Sequence, residues 1–167
     1  MAITVRPFRS ADAPRVAEIV HRCLREVNSR DYPADIIDRM CGHFTAERFI
    51  ELSRCRLVYV AVDHVVGEDE RVVGTVSRDG NRVYSMFVDP DLAGRGIGRR
   101  LMLHIEILAA DDGYDHMETG AGLTAHGFYL KLGYTDVRET ETEFGFNHIL
   151  RKPLSRPDPP GDRRDTG

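Results

Sequence analysis

The stretch Val88-Asp89-Pro90-Asp91-Leu92-Ala93-Gly94-Arg95-Gly96-Ile97-Gly98-Arg99-Arg100 carries the densest chemistry in the chain. Three glycines and three arginines lie between a β-rich run and a helical pattern. Glycines let a backbone approach a ligand closely and adopt dihedrals that other residues avoid. A helix start adds unpaired N–H groups and a partial positive charge. Arg95, Arg99 and Arg100 add full charges. Such a loop suits a pyrophosphate. It is not a Walker loop, because no Gly-Lys-Ser/Thr follows. It is not the dinucleotide fingerprint either, because a meander of three strands precedes it rather than the first strand of a βαβ unit.

The elements that must hold this loop follow from periodicity. Residues 3–8 alternate as a first strand. Ser10 is read as the cap of a helix running to about residue 28, with Val16, Val20, Cys23 and Val27 at helical spacing. Residues 28–33 break it, and a second helical piece carries Ile36, Ile37 and Met40 on one face. Gly42 and Thr45 mark a break and a new cap. Residues 57–62, 71–76 and 82–88 read as strands. Asp79-Gly80-Asn81 between the last two is a hairpin signal. A long helix over about 97–110 presents Ile97, Leu101, Ile105 and Leu108 on one face. A strand at 114–119, a helix at 124–131 ending at Gly133, and strands at 134–139 and 144–150 complete the pattern. The fold class is α+β, a mixed sheet with one parallel crossover.

The 167 residues predict one domain over 1–152. A Pro-rich tail over 153–167, poor in apolar residues, is expected to be disordered. With 41% hydrophobic and 30% charged residues the composition is ordinary for a globular chain. The net charge of -4 disfavours nucleic acid as a partner. No apolar run reaches the ~18 residues that span a bilayer, and the N-terminal residues do not read as a secretory signal. Cys23, Cys41 and Cys55 are odd in number and lack Cys-x-x-Cys spacing, so they read as reduced thiols of a cytoplasmic protein. The seven histidines show no His-x-x-x-His pair, and no metal is expected.

On two blocks the chain resembles the GNAT superfamily of acetyl-CoA-dependent N-acetyltransferases. The first block is Val88-Asp89-Pro90 with Arg95-Gly96-Ile97-Gly98-Arg99. The second is Ala125-His126-Gly127-Phe128-Tyr129-Leu130-Lys131-Leu132-Gly133-Tyr134. Two departures stand out. Ala93 occupies a position where the family carries Gln or Arg, and Gly122 one where many relatives carry Asn.

The resemblance implies a mostly antiparallel sheet of six to seven strands, helices on both faces, and central strands that splay. Acetyl-CoA would lie in the splay. Its pantetheine would pair with the backbone of Met86, Phe87 and Val88 like an added strand. Its pyrophosphate would rest on Gly94, Arg95, Gly96, Ile97, Gly98 and Arg99. An N–H near Val88 would hold the oxyanion. An amine would attack the thioester directly, and Tyr129 would protonate the leaving thiolate. Arg82 stands where some relatives carry a basic Glu. Glu118 is the candidate base put forward, with Glu26, Asp31, Tyr84 through water, or a water relay as alternatives. Glu26, Asn28, Asp31 and Tyr32 would wall the acceptor site, and their acidity suits a cationic small-molecule or peptide amine. Homodimers are common in the family. A non-catalytic acetyl-CoA sensor is the alternative function.

Overall fold

The computed structural model describes residues 1–65, 67 and 69–155. The expected tail lies outside the described residues from position 156 onward. Seven strands form one sheet: β1 (Ile3–Pro7), β2 (Leu57–Asp63), β3 (Arg71–Asp79), β4 (Arg82–Val88), β5 (His116–Ala121), β6 (Thr135–Thr142) and β7 (Gly145–Pro153). Their spatial order is β1-β2-β3-β4-β5-β7-β6. Every neighbouring pair is antiparallel except β4 and β5.

Among the described residues five α-helices accompany the sheet: α1 (Ala13–Glu26), α2 (Ala34–His43), α3 (Ala46–Leu52), α4 (Ile97–Asp111) and α5 (His126–Lys131). Two cores result. Val16, Ile19, Val20 and Leu24 of α1 pack with Ile37, Phe49, Val60, Val62 and Val72 on one face. Ile97, Leu101, Met102 and Ile105 of α4 pack with Val73, Val76, Met117 and Leu150 on the other. Burying an aliphatic side chain contributes ~1.5–3 kcal/mol, so each helix is held chiefly by its apolar stripe. The helices thus lie on both faces, as expected.

Three local expectations are corrected. Ser10 is not the cap of α1. Residues Ser10–Asp12 form a 3₁₀ turn, and Pro14 sits in the first turn of the helix. The Asp12 carboxylate accepts from the Arg9 N–H at 2.7 Å and pairs with Arg6 at 2.8 Å. β5 begins at His116 rather than at Tyr114. The Tyr114 N–H donates to the Ala109 carbonyl at 3.1 Å and so belongs to the end of α4. Its ring packs on the Gly80 turn, where an added Cβ would lie 3.0 Å from the hydroxyl. β7 runs to Pro153, and Leu154 packs on the core with its N–H bonded to the Asp115 carbonyl at 2.8 Å. The cap of α3 is as read: Thr45 Oγ1 accepts from the Arg48 N–H at 3.2 Å.

Candidate active site

The site begins with a fault in the sheet. Thr75 opposes Phe87 and Ser77 opposes Tyr84, so Ser85 and Met86 share the place opposite Val76. This is a β-bulge, and Ser85 takes a left-handed φ of 50° to make it. The bulge bends β4 away from β5. Their parallel register holds only at Arg82↔Glu118 and Val83↔Thr119. From Tyr84 to Val88, β4 has no partner residue on β5, so a strand edge opens toward the gap.

The loop after β4 is anchored from below. Asp89 is fully buried and pairs with Arg15 at 2.6 Å and Arg22 at 3.1 Å, both from α1. Its carboxylate also accepts from the Asp91 N–H at 3.0 Å. The Cys23 thiol donates to the Val88 carbonyl at 2.9 Å, and burial pushes that thiol up to about 12. Cys23 is a structural donor and no nucleophile at neutral pH.

Above this anchor Gly94 and Gly96 have φ of 76° and 80°, with open space where a Cβ would point. Among the described residues no group accepts from the backbone N–H groups of residues 94–99. Arg95 and Arg99 are exposed, and neither forms an ion pair among the described residues. A set of free N–H donors beside two arginines at a helix start is a fit for an anionic group such as a pyrophosphate. Gly98 does different work. A Cβ there would meet the Phe128 ring at 3.1 Å, so Gly98 lets α5 close onto the first turn of α4. Arg100 also turns away and donates to the Ile3 carbonyl at 2.8 Å.

The gap between β4 and β5 leads to a cavity of about 260 Å³. Tyr129 of α5 forms part of its wall and is 4% exposed. Burial pushes its phenol up to about 12, partly offset by the Thr119 hydroxyl. The remaining wall is aromatic and neutral: Tyr32, Phe44, Tyr84, Phe87 and Phe144 with Asn28 and Asn147. His43 also lines it.

The predicted acceptor residues divide. Asn28 and Tyr32 line the cavity; Glu26 and Asp31 do not. Glu26 pairs with Arg22 at 3.2 Å. Asp31 accepts from the Thr124 hydroxyl at 2.7 Å, and the Tyr32 hydroxyl accepts from the Leu123 N–H at 3.0 Å. These two contacts strap the α1–α2 link to the turn after β5. Gly122 makes the strap fit, because a Cβ there would lie 2.1 Å from the Tyr32 hydroxyl. No Asp or Glu lines the cavity among the described residues, so the expected acidic wall is not formed. Glu118 also lies outside that lining. It bonds Arg151 at 2.9 Å with Arg138 at 3.5 Å, and the Arg151 bond leads in holding its carboxyl below the usual range.

Sequence reasoning missed three groups. Asp89 has no role of its own in the sequence reading beyond its place in Val88-Asp89-Pro90, although Asp-Pro beside a cluster of arginines is a signal for it. Tyr134 donates to buried Glu106 at 3.0 Å, whose other oxygen accepts from Lys152 at 2.9 Å. His126, Asp136 and His148 come together with ligand atoms within 4.8 Å of one another. His126 bonds Asp136 at 2.7 Å and its ring stacks on His148 at 4.0 Å. The three come from α5, β6 and β7, so spacing along the chain could not reveal them.

A parallel strand pair that parts beside a glycine turn at a helix start leaves room for an extended ligand with an anionic end. Residues 56–153, more than half of the sequence, match the acetyltransferase (GNAT) domain family, and the chain belongs to that family. It is 31% identical over 78 residues to the peptidyl-lysine N-acetyltransferase YjaB of Salmonella typhimurium, a match covering 47% of this chain and 52% of that protein. The chain thus spans about half the length of this curated relative. The fold is similar to a GCN5-related N-acetyltransferase from Rhodopseudomonas palustris, with a TM-score of 0.82, 22% identity, and 92% and 97% of the two chains covered. It is also similar to the PaiA N-acetyltransferase of Thermoplasma acidophilum in complex with coenzyme A, with a TM-score of 0.74, 17% identity, and 92% and 100% covered. At these identities the two structures bear on the fold alone. Among the described residues no helix is long and apolar enough to cross a membrane.

Proposed function

We propose that the protein transfers an acetyl group from acetyl-CoA to a primary amine of a small molecule or peptide, by direct attack in a ternary complex within a domain over 1–152. The observation that carries this reading is the continuity of three features. Free N–H groups at residues 94–99 lead to an unpartnered β4 edge, and that edge leads to a buried phenol. Acetyl-CoA supplies the activated acyl carbon. Gly94 and Gly96 with Arg95 and Arg99 hold its pyrophosphate, assisted by the first turn of α4 at Ile97 and Gly98. Met86, Phe87 and Val88 offer backbone groups to its pantetheine, and an N–H near Val88 polarises the carbonyl. A C–N bond forms as the C–S bond breaks.

Tyr129 meets the leaving sulfur. Its phenol stands near 12, and a thiol stands near ~8.5. Complete proton transfer between them would be uphill by about 5 kcal/mol. The larger part of its effect is therefore hydrogen-bond donation to the developing thiolate. The amine proton leaves through water at the cavity mouth, past Tyr84 and His43. Glu118 is not given the task of base, because its carboxylate is engaged by arginines outside the cavity.

Calorimetry with acetyl-CoA, followed by thiol release with an amine panel, tests the reading. Wild type is expected to bind at micromolar affinity and to release thiol with at least one amine. Gly96→Glu, which fills the turn with a negative side chain, is expected to lose both. Equal turnover by that variant would remove the cradle. Binding without thiol release from any amine would favour the sensor function instead.

A further inference from the structure

We infer that the acceptor carries a carboxylate beside its amine, and that Arg82 binds it. This rests on the transferase reading and specifies its substrate class as amino acids or the carboxyl-bearing ends of short peptides.

Arg82 opens β4, directly opposite Glu118 in the parallel register. Side chains alternate along strands, so Arg82 shares a sheet face with Tyr84, and Glu118 shares one with Gly120. Glu118 is a poor partner for Arg82. It already engages Arg151 at 2.9 Å and Arg138 at 3.5 Å, while Arg82 reaches it only at 3.9 Å. One carboxylate thus faces three guanidiniums, a local excess of two positive charges. The Arg82 Nε is buried and has no hydrogen-bond partner among the described residues. A buried donor left unpaired is costly; the Arg82 side chain as a whole is 41% exposed, so its outer Nη atoms are the ones an anion would meet.

Arg82 itself lies outside the cavity lining, and Gly120, which is part of that lining, connects its charge to the cavity. Having no side chain, Gly120 leaves a gap there. The point where its Cβ would stand is 3.9 Å from Arg82 Nη2 and 3.5 Å from Asn147 Nδ2. A guanidinium and an amide donor therefore flank the same gap. The aromatic remainder of the cavity has no carboxylate to compete for them or to attract a second ammonium. Tyr84 lies beneath, with the Arg82 guanidinium 5.6 Å and the Arg56 guanidinium 3.8 Å from its ring centroid. Its face is occupied by arginine, which leaves little room for a cationic acceptor to stack there. A guanidinium suits a carboxylate because its paired N–H groups match the two oxygens.

The test is steady-state thiol release with the twenty amino acids and their decarboxylated amines, in wild type, Arg82→Gln and Arg82→Lys. Melting curves and acetyl-CoA titrations establish that each variant is folded and loaded. In the best pair the carboxylate member is expected to lead by at least tenfold in kcat/KM. Arg82→Gln should reduce that lead to about twofold through KM. Arg82→Lys should keep part of the lead. A lead retained in Arg82→Gln, no lead in wild type, or acetyl-CoA binding without turnover of any amino acid would overturn the proposal. Loss of acetyl-CoA binding by wild type would overturn the transferase reading itself, a different and separately visible failure.

Discussion

The glycine turn and the acceptor cavity are built by opposite means. The turn is made of backbone from six consecutive residues, 94–99, and its donors are N–H groups that any sequence with the right dihedrals would present. The cavity is made of side chains from the α1–α2 link, the end of α2, β4, β5, α5 and the β6–β7 region. A backbone site tolerates side-chain change, so Ala93 can stand where relatives carry Gln or Arg. A side-chain site changes its chemistry with each substitution. In this chain, contacts elsewhere in the fold engage the nearby carboxylates of Glu26, Asp31 and Glu118. Cofactor binding and acceptor choice should therefore fail separately.

Tyr129→Phe gives the largest separation after loss of the glycine turn itself. It removes one oxygen from a buried ring that keeps its contacts with Phe128 and Tyr134. Loss of one hydrogen-bond donor to charge that develops in the transition state costs ~10²–10³ in rate, so kcat should fall by ~10² while acetyl-CoA affinity stays within twofold. The sign of the pH effect also follows. A phenol near 12 stays protonated from pH 6 to 9, so the ratio of wild-type to variant kcat should be flat across that range. A ratio that changes tenfold over those pH values would show that another group is the acid.

The same contrast explains what could be read from the residues alone. The glycine turn, the flanking helix and the hairpin at Gly80 are local, and their residue types state their dihedrals. The bulge is not local. Ser85 is an ordinary residue forced to φ 50° by the register between β3 and β4, and no residue type announces it. The acidic wall failed for a related reason. Glu26 and Asp31 are near the site in sequence, but their carboxylates are engaged by Arg22 and Thr124. Partner choice of that kind is decided by tertiary neighbours. The start of β5 lies at His116 because Tyr114 closes the end of α4 and packs against Gly80.

Gly122→Ala probes the side-chain half more gently. The new methyl would stand 2.1 Å from the Tyr32 hydroxyl, so Tyr32 must swing out and release the Leu123 N–H. One exposed hydrogen bond is worth ~1 kcal/mol, or about fivefold. With the wall displaced, acceptor KM should rise about five- to tenfold, and acetyl-CoA affinity should not change. Adding Gly122→Ala to Tyr32→Ala should cost little more than Tyr32→Ala alone, because the two share one contact. Additive effects in kcat/KM would mean that Gly122 serves the acceptor by another route.

Glu118→Gln has the smallest expected effect and decides whether the carboxylate belongs to the chemistry or to the scaffold. Arg151 leads the groups that hold Glu118 below the usual carboxyl range. A carboxyl that titrates lower in the folded than in the unfolded chain adds stability above the unfolded value of ~4.3. That stability disappears as pH falls through the folded value. The arginines are 41–54% exposed, so solvent screens the ion pairs and the contribution is about 1 kcal/mol. Urea denaturation should therefore find Glu118→Gln less stable by about 1 kcal/mol at pH 7, with the gap narrowing only as pH falls below ~4. Steady-state kcat should change less than threefold, because the carboxylate does not reach the cavity. A loss of ~10² in kcat, the scale of a missing general base, would return Glu118 to the catalytic site. It would also require the Arg151 and Arg138 contacts to open during turnover, which the stability difference at pH 7 would then underestimate.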